Sequence, residues 1–171
     1  MSNNAAIQVV QRTTYYQVDL LDPRTLSRAM WDQGVADRSG TVGATRYQYQ
    51  WSFETSQTGP GACAIQAVRV MGEVRITLPR WTAPTGTSPE RRQWWLQYSS
   101  SVSTHENTHV SILNDYFREM LRTLEGMNGT ECNQLRDRGY AVLRAGAAVM
   151  DERQKEFDRS DRGIPIGYPP P

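Results

Sequence analysis

The only two histidines of this chain stand four residues apart, His105 and His109, in the run STHENTHVSIL over 103–113. On a helix, Val102, His105, His109 and Leu113 fall on a single face. The spacing therefore commits this stretch to a helix whose apolar stripe passes through both imidazoles, and a buried imidazole pair needs partners for its nitrogens. Both rings can aim a nitrogen at one point about 2 Å from each, the zinc to nitrogen distance. Backbone geometry thus places two ligands. Glu106, about 100° further round the helix, can approach a water held on the metal without ligating the metal itself, which suits a general base. In the reading without metal, the same histidines hydrogen-bond inside the core or sit at its edge.

A catalytic zinc takes three protein ligands and leaves the fourth position to water, whereas a structural zinc is closed by four. With no third histidine, the third ligand is expected to be a carboxylate. Most downstream carboxylates read as the polar face of a second helix. Asp158 and Asp161, in EFDRSDRG, stand where that helix gives way to a tail and can swing back to the site. One of these two is the expected third ligand. The alternative is a closed site completed by Cys63 and Cys132, neither of which has ligand-like spacing. Taken by themselves, the two cysteines fit a disulfide as well as free buried thiols.

Along the chain, TTYYQVDL reads as a strand, followed by a helix over DPRTLSRAMWDQG, with Asp22 as cap, Pro23 in the first turn and Gly34 at the end. Tyr47, Tyr49, Trp51 and Phe53 alternate with polar residues, the period of a half-buried strand. The alternation continues through Cys63, Ile65 and Ala67, then Val68 and Val70, as one or two strands with Gly72 at a bulge or turn. Ser88-Pro89 starts a long helix from Glu90 to Met127, for which a bend or break is expected near SSSVST. Thr130 is the expected cap of a second helix running to about Phe157, and RGIPIGYPPP cannot be helical. The fold class is thus α+β: a small, mostly antiparallel sheet packed on a long histidine-bearing helix and a C-terminal helix. It forms one domain over 1–163, with a Pro-rich tail over 164–171.

A formal net charge of +1 lacks the basic surface that nucleic-acid binding needs. No apolar run approaches the roughly 20 residues of a membrane span. The opening MSNNAAIQVVQRTTYY has none of the marks of a secretory signal, so the chain reads as leaderless or already trimmed.

In order along the chain come TTYYQV, the Trp51 strand, Cys63 before an alternating strand, TLPRW at 77–81, Trp95 ahead of HENTHV, Cys132 after the histidine helix, and EFDRSDRG. In this order the chain resembles a bacterial family of predicted secreted zinc-dependent proteases, long catalogued as a domain of unknown function. Only the His-Glu-x-x-His motif is specific by itself. The resemblance implies a zincin-like α+β domain, a disulfide between Cys63 and Cys132, and export to the periplasm or beyond. With one residue fewer between them, the family pattern Tyr-Asp-x-x-Thr-x-His-Gly lines up with Phe157, Asp158 and Gly163, but its threonine is unmatched and Arg162 stands where a histidine is expected. Thr108 stands where relatives commonly carry glycine. If that histidine is the third ligand in relatives, this chain has lost it.

The expected function is that of a zinc-dependent metallopeptidase acting on a peptide or protein substrate. His105, His109 and one of Asp158 and Asp161 hold Zn2+, while Glu106 takes a proton from the attacking water and passes it to the leaving amine. The alternatives are a non-catalytic zincin-like binding or structural module, and a metal-dependent amidase or cell-wall hydrolase.

Overall fold

A computed structural model of the chain describes residues 6–18 and 42–161. The helix expected over 22–34, Arg162 and the tail over 164–171 lie outside the described residues. The elements are β1 (Ala6–Gln17), β2 (Ala44–Gly59), β3 (Ala62–Arg80), α1 (Pro89–Glu125), β4 (Asn128–Gly129) and α2 (Cys132–Ser160). This is the α+β class expected. The sheet order is β1-β3-β2, with β4 on β3.

Only Pro60 and Gly61 separate β2 from β3, so the two form an antiparallel hairpin, and Gly61 takes the positive φ of 62° that such a turn favours. Strand β4 is also antiparallel to β3, pairing Cys63 with Gly129 and Ala64 with Asn128. Strand β1 differs. Its Thr14 hydroxyl meets the Ile76 carbonyl and the Thr77 hydroxyl, and Val18 N–H donates to the Arg80 carbonyl at 2.9 Å. Both chains advance together through these contacts, so β1 runs parallel to β3 and the sheet is mixed. It also starts at Ala6, well before TTYYQVDL.

One compact unit takes in Tyr47–Glu73 and Ser111–Arg159. Its core is aromatic: Phe117, fully buried, meets Tyr49 and Trp51 edge-on at 5.1 and 5.9 Å between ring centroids. Two glycines of α2 allow close packing. A Cβ at Gly139 would stand 2.7 Å from the Phe53 ring, and one at Gly146 would collide with the Met120 sulfur. The Cys63–Cys132 disulfide ties β3 to the first residue of α2, with the Cα atoms 5.3 Å apart. That is the pairing the resemblance implied, and it removes the four-ligand alternative, because neither sulfur is free to bind a metal as thiolate.

Inward positions along β3 change phase, from Cys63 and Ile65 to Val68 and Val70, and Ala67 at the change has a φ of 51°. A left-handed residue at a phase shift is the mark of a bulge. The break in alternation therefore lies at Ala67, not Gly72, and β3 is one strand. Gly72 is small for another reason: a Cβ there would collide with the Gln48 carbonyl on β2.

The second unit takes in Val74–Val110 and the described parts of Gln11–Arg46 and of the stretch from Ser160, which are 11–18, 42–46 and 160–161. Val74 and Ile76 are buried along β3, and the Tyr16 hydroxyl donates to the Val42 carbonyl at 2.5 Å. Ser88 Oγ accepts from Arg91 N–H, so Ser88 caps α1 as its sequence suggests. The break expected near SSSVST is absent: α1 runs unbroken through 37 residues. Ser99 and Ser101 turn their hydroxyls onto the Leu96 and Gln97 carbonyls, while Tyr98 and Val102 keep the buried face continuous. Helix α2 starts later than expected, with Leu135 N–H bonding Glu131 O, because Asn128 and Gly129 are first drawn into β4. Among the described residues, no helix is long and apolar enough to cross a membrane.

Candidate metal centre

His105 and Glu106 are buried on α1, at 6% and 2% exposure, and His109 is half-buried one turn on. The two Nε2 atoms lie 3.1 Å apart, with the rings near perpendicular at 77°. Two nitrogens each about 2.0–2.1 Å from a tetrahedral zinc would be about 3.3 Å apart. The pair is therefore close to the separation an ion requires, and the donor chemistry fits zinc.

The two candidate aspartates occupy different places. Asp161 Oδ2 lies 2.8 Å from Nδ1 of His105, the nitrogen on the far side of the ring from His109. Asp158 lies three residues earlier, in the last turn of α2. Asp158 is exposed.

Glu106 is gripped by a segment that sequence reasoning missed. Thr45 Oγ1 donates to Glu106 Oε2 at 2.7 Å and lies 3.1 Å from the Glu106 main-chain oxygen. At Gly43 a Cβ would stand 2.5 Å from Glu106 Oε1 and 2.7 Å from its Cγ, so a side chain there would displace the carboxylate. Neither residue belongs to any motif, and Thr45 is 61 positions from Glu106. No sequence signal marks them.

Tyr16 neighbours the same carboxylate. Burial, then the Tyr98 phenol, then the Glu106 charge push Tyr16 well above the ordinary phenol range, so it stays protonated and serves as a donor. The Tyr98 hydroxyl is buried with no hydrogen-bond partner among the described residues. Thr108, where the resemblance expects glycine, turns its hydroxyl onto the Thr104 carbonyl at 3.0 Å and so satisfies it within the helix.

Residues 13–164 match the family described as "Bacterial protein of unknown function (DUF922)". No curated protein and no solved structure matches the chain.

Proposed function

The chain belongs to this bacterial family of unknown function, and from its site we propose a zinc-dependent metallopeptidase in which Glu106 is the general base. The observation that carries this reading is the pairing of the His105 and His109 Nε2 atoms, 3.1 Å apart, beside a carboxylate on the same helical turn. These two histidines, with Asp158 as the carboxylate expected from sequence, would hold the ion and leave a position for water. Zinc, when bound, supplies Lewis acidity that acidifies water and polarises a carbonyl oxygen.

Glu106 takes the proton of the attacking water on its carboxylate, then delivers it to the departing amine nitrogen. Thr45 holds the carboxylate in one orientation meanwhile, and Gly43 leaves room for it. The peptide as substrate rests on the His-Glu-x-x-His arrangement, whose glutamate performs this chemistry on amides. A disulfide is at home in an oxidising compartment, which supports a periplasmic or secreted location.

Glu106→Gln tests the assignment. Peptide hydrolysis should fall by about 10²–10⁴-fold while zinc content stays the same. Retained turnover sinks the role of Glu106. The 2% exposure of Glu106 favours a second reading, a non-catalytic module in which this carboxylate only holds the Gly43–Thr45 segment. In that reading Glu106→Gln lowers the melting temperature and there is no hydrolysis to lose.

A further inference from the structure

We infer that Asp161 is the positioning residue of this centre: it holds His105 in the tautomer that turns the Nε2 lone pair toward His109, and it does not ligate the ion. The inference rests on the metal reading above and adds to it the role of a residue that its sequence position leaves equivalent to Asp158.

A neutral imidazole carries one proton on either Nδ1 or Nε2, and only the bare nitrogen can bind a metal. Nε2 of His105 points at the shared site, 3.1 Å from Nε2 of His109. If Nε2 carried the proton, the site would have a donor where it needs a lone pair. Nδ1 lies 2.8 Å from Asp161 Oδ2, and an ionised carboxylate only accepts, so the proton sits on Nδ1 and Nε2 is left bare. The contact is also sheltered, with the His105 side chain 7% exposed and that of Asp161 31%. Fixing the ring this way lowers the reorganisation needed to bind an ion and raises the basicity of the ligating nitrogen.

The spacing explains how one stretch of chain supplies both parts. Asp158 lies in the last turn of α2 and Asp161 immediately follows its end, three residues on. Asp161 reaches the edge of the His105 ring opposite His109.

The test uses the full chain with Asp161→Ala, Asp161→Asn and Asp158→Ala. The chain has only two histidines, so nitrogen-15 spectra of the metal-free protein read each imidazole tautomer directly, and His109→Ala assigns the signals. Zinc affinity and the visible spectrum of the cobalt(II)-loaded protein report the ligand set. We expect His105 protonated at Nδ1 in the wild type. Asp161→Ala should lose that preference and bind zinc about 10–100-fold more weakly, with unchanged stoichiometry and cobalt band positions. Asp161→Asn, whose amide oxygen can still accept, should fall between. Asp158→Ala should shift the cobalt bands.

A cobalt spectrum altered by Asp161→Ala in the same way as by Asp158→Ala would make Asp161 a ligand and overturn the inference. So would zinc uptake with tautomer and affinity unmoved in Asp161→Ala, though the metal reading would survive. Absence of zinc uptake by the wild type overturns the metal reading, and with it any role for Asp161 toward an ion. The tautomer signals would then still show whether Asp161 governs His105.

Discussion

A single methyl group at position 43 would stand 2.5 Å from Oε1 of Glu106. Real Cβ contacts do not come that close, so Gly43→Ala must move either the carboxylate or the strand entrance before Thr45. We expect this variant to lose peptide hydrolysis by about 10²-fold, the scale of a misplaced catalytic group, while binding zinc normally. Wild-type turnover in Gly43→Ala would show that the Gly43–Thr45 segment does not position Glu106. At this scale the sequence was informative only where geometry is local. His105, Glu106 and His109 lie within five positions of one another, and helical spacing alone orients them. Asp158 and Asp161 could not be told apart, because three residues at a helix end leave either free to face the ring. Thr45 and Gly43 were invisible, since what makes them matter is packing against a residue some 60 positions away.

The elements were most legible where burial is one-sided. The alternation of Tyr47, Tyr49, Trp51 and Phe53 marked β2 because those four side chains are half-buried while Arg46, Gln48, Gln50 and Ser52 face solvent. The stripe of Leu113, Phe117, Met120 and Leu124 marked α1 for the same reason. Phe117, fully buried between Tyr49 and Trp51 of β2 and its own neighbour Tyr116, concentrates that packing. Phe117→Ala should cost about 3–5 kcal/mol of stability, read as a lower urea midpoint. Leu96→Ala, at a position 61% exposed, should stay within about 0.5 kcal/mol. Equal midpoints for the two variants would remove the aromatic cluster from the account. Strand β1 was poorly legible: nine of its twelve residues are exposed and only Tyr16 is buried, so no alternation marks it and its backbone ladder to β3 defines it. The serines over 99–101 suggested a break because serine competes for backbone hydrogen bonds, but here the hydroxyls bond within the helix and leave it intact.

For the whole molecule, the phenols set the alkaline limit. Burial is the largest cause that raises Tyr16, Tyr47, Tyr49, Tyr98 and Tyr116, and Tyr47, also beside Asp151, is pushed up to about 12 from an ordinary value of 10.0. Above that ordinary value the unfolded chain releases phenolic protons that the folded chain keeps. The unfolded state then binds fewer protons, so stability falls as pH rises. The contribution is fully present below about pH 10 and is lost progressively through about pH 12. Urea midpoints measured with rising pH, with phenolate absorbance followed in parallel, should show this decline; a flat midpoint through that window would refute it. The overall class was legible because strand and helix periods are both written clearly into the chain, whereas the parallel pairing of β1 was not, since nothing local records which strand it will join.

The central claim is that HENTH forms a metal centre, and the metal content of the purified protein tests it most directly. Elemental mass spectrometry should find about one zinc per chain in the wild type, the number one tetrahedral site holds, and none in His109→Ala. No zinc in the wild type, even after reconstitution with the ion, would contradict the account.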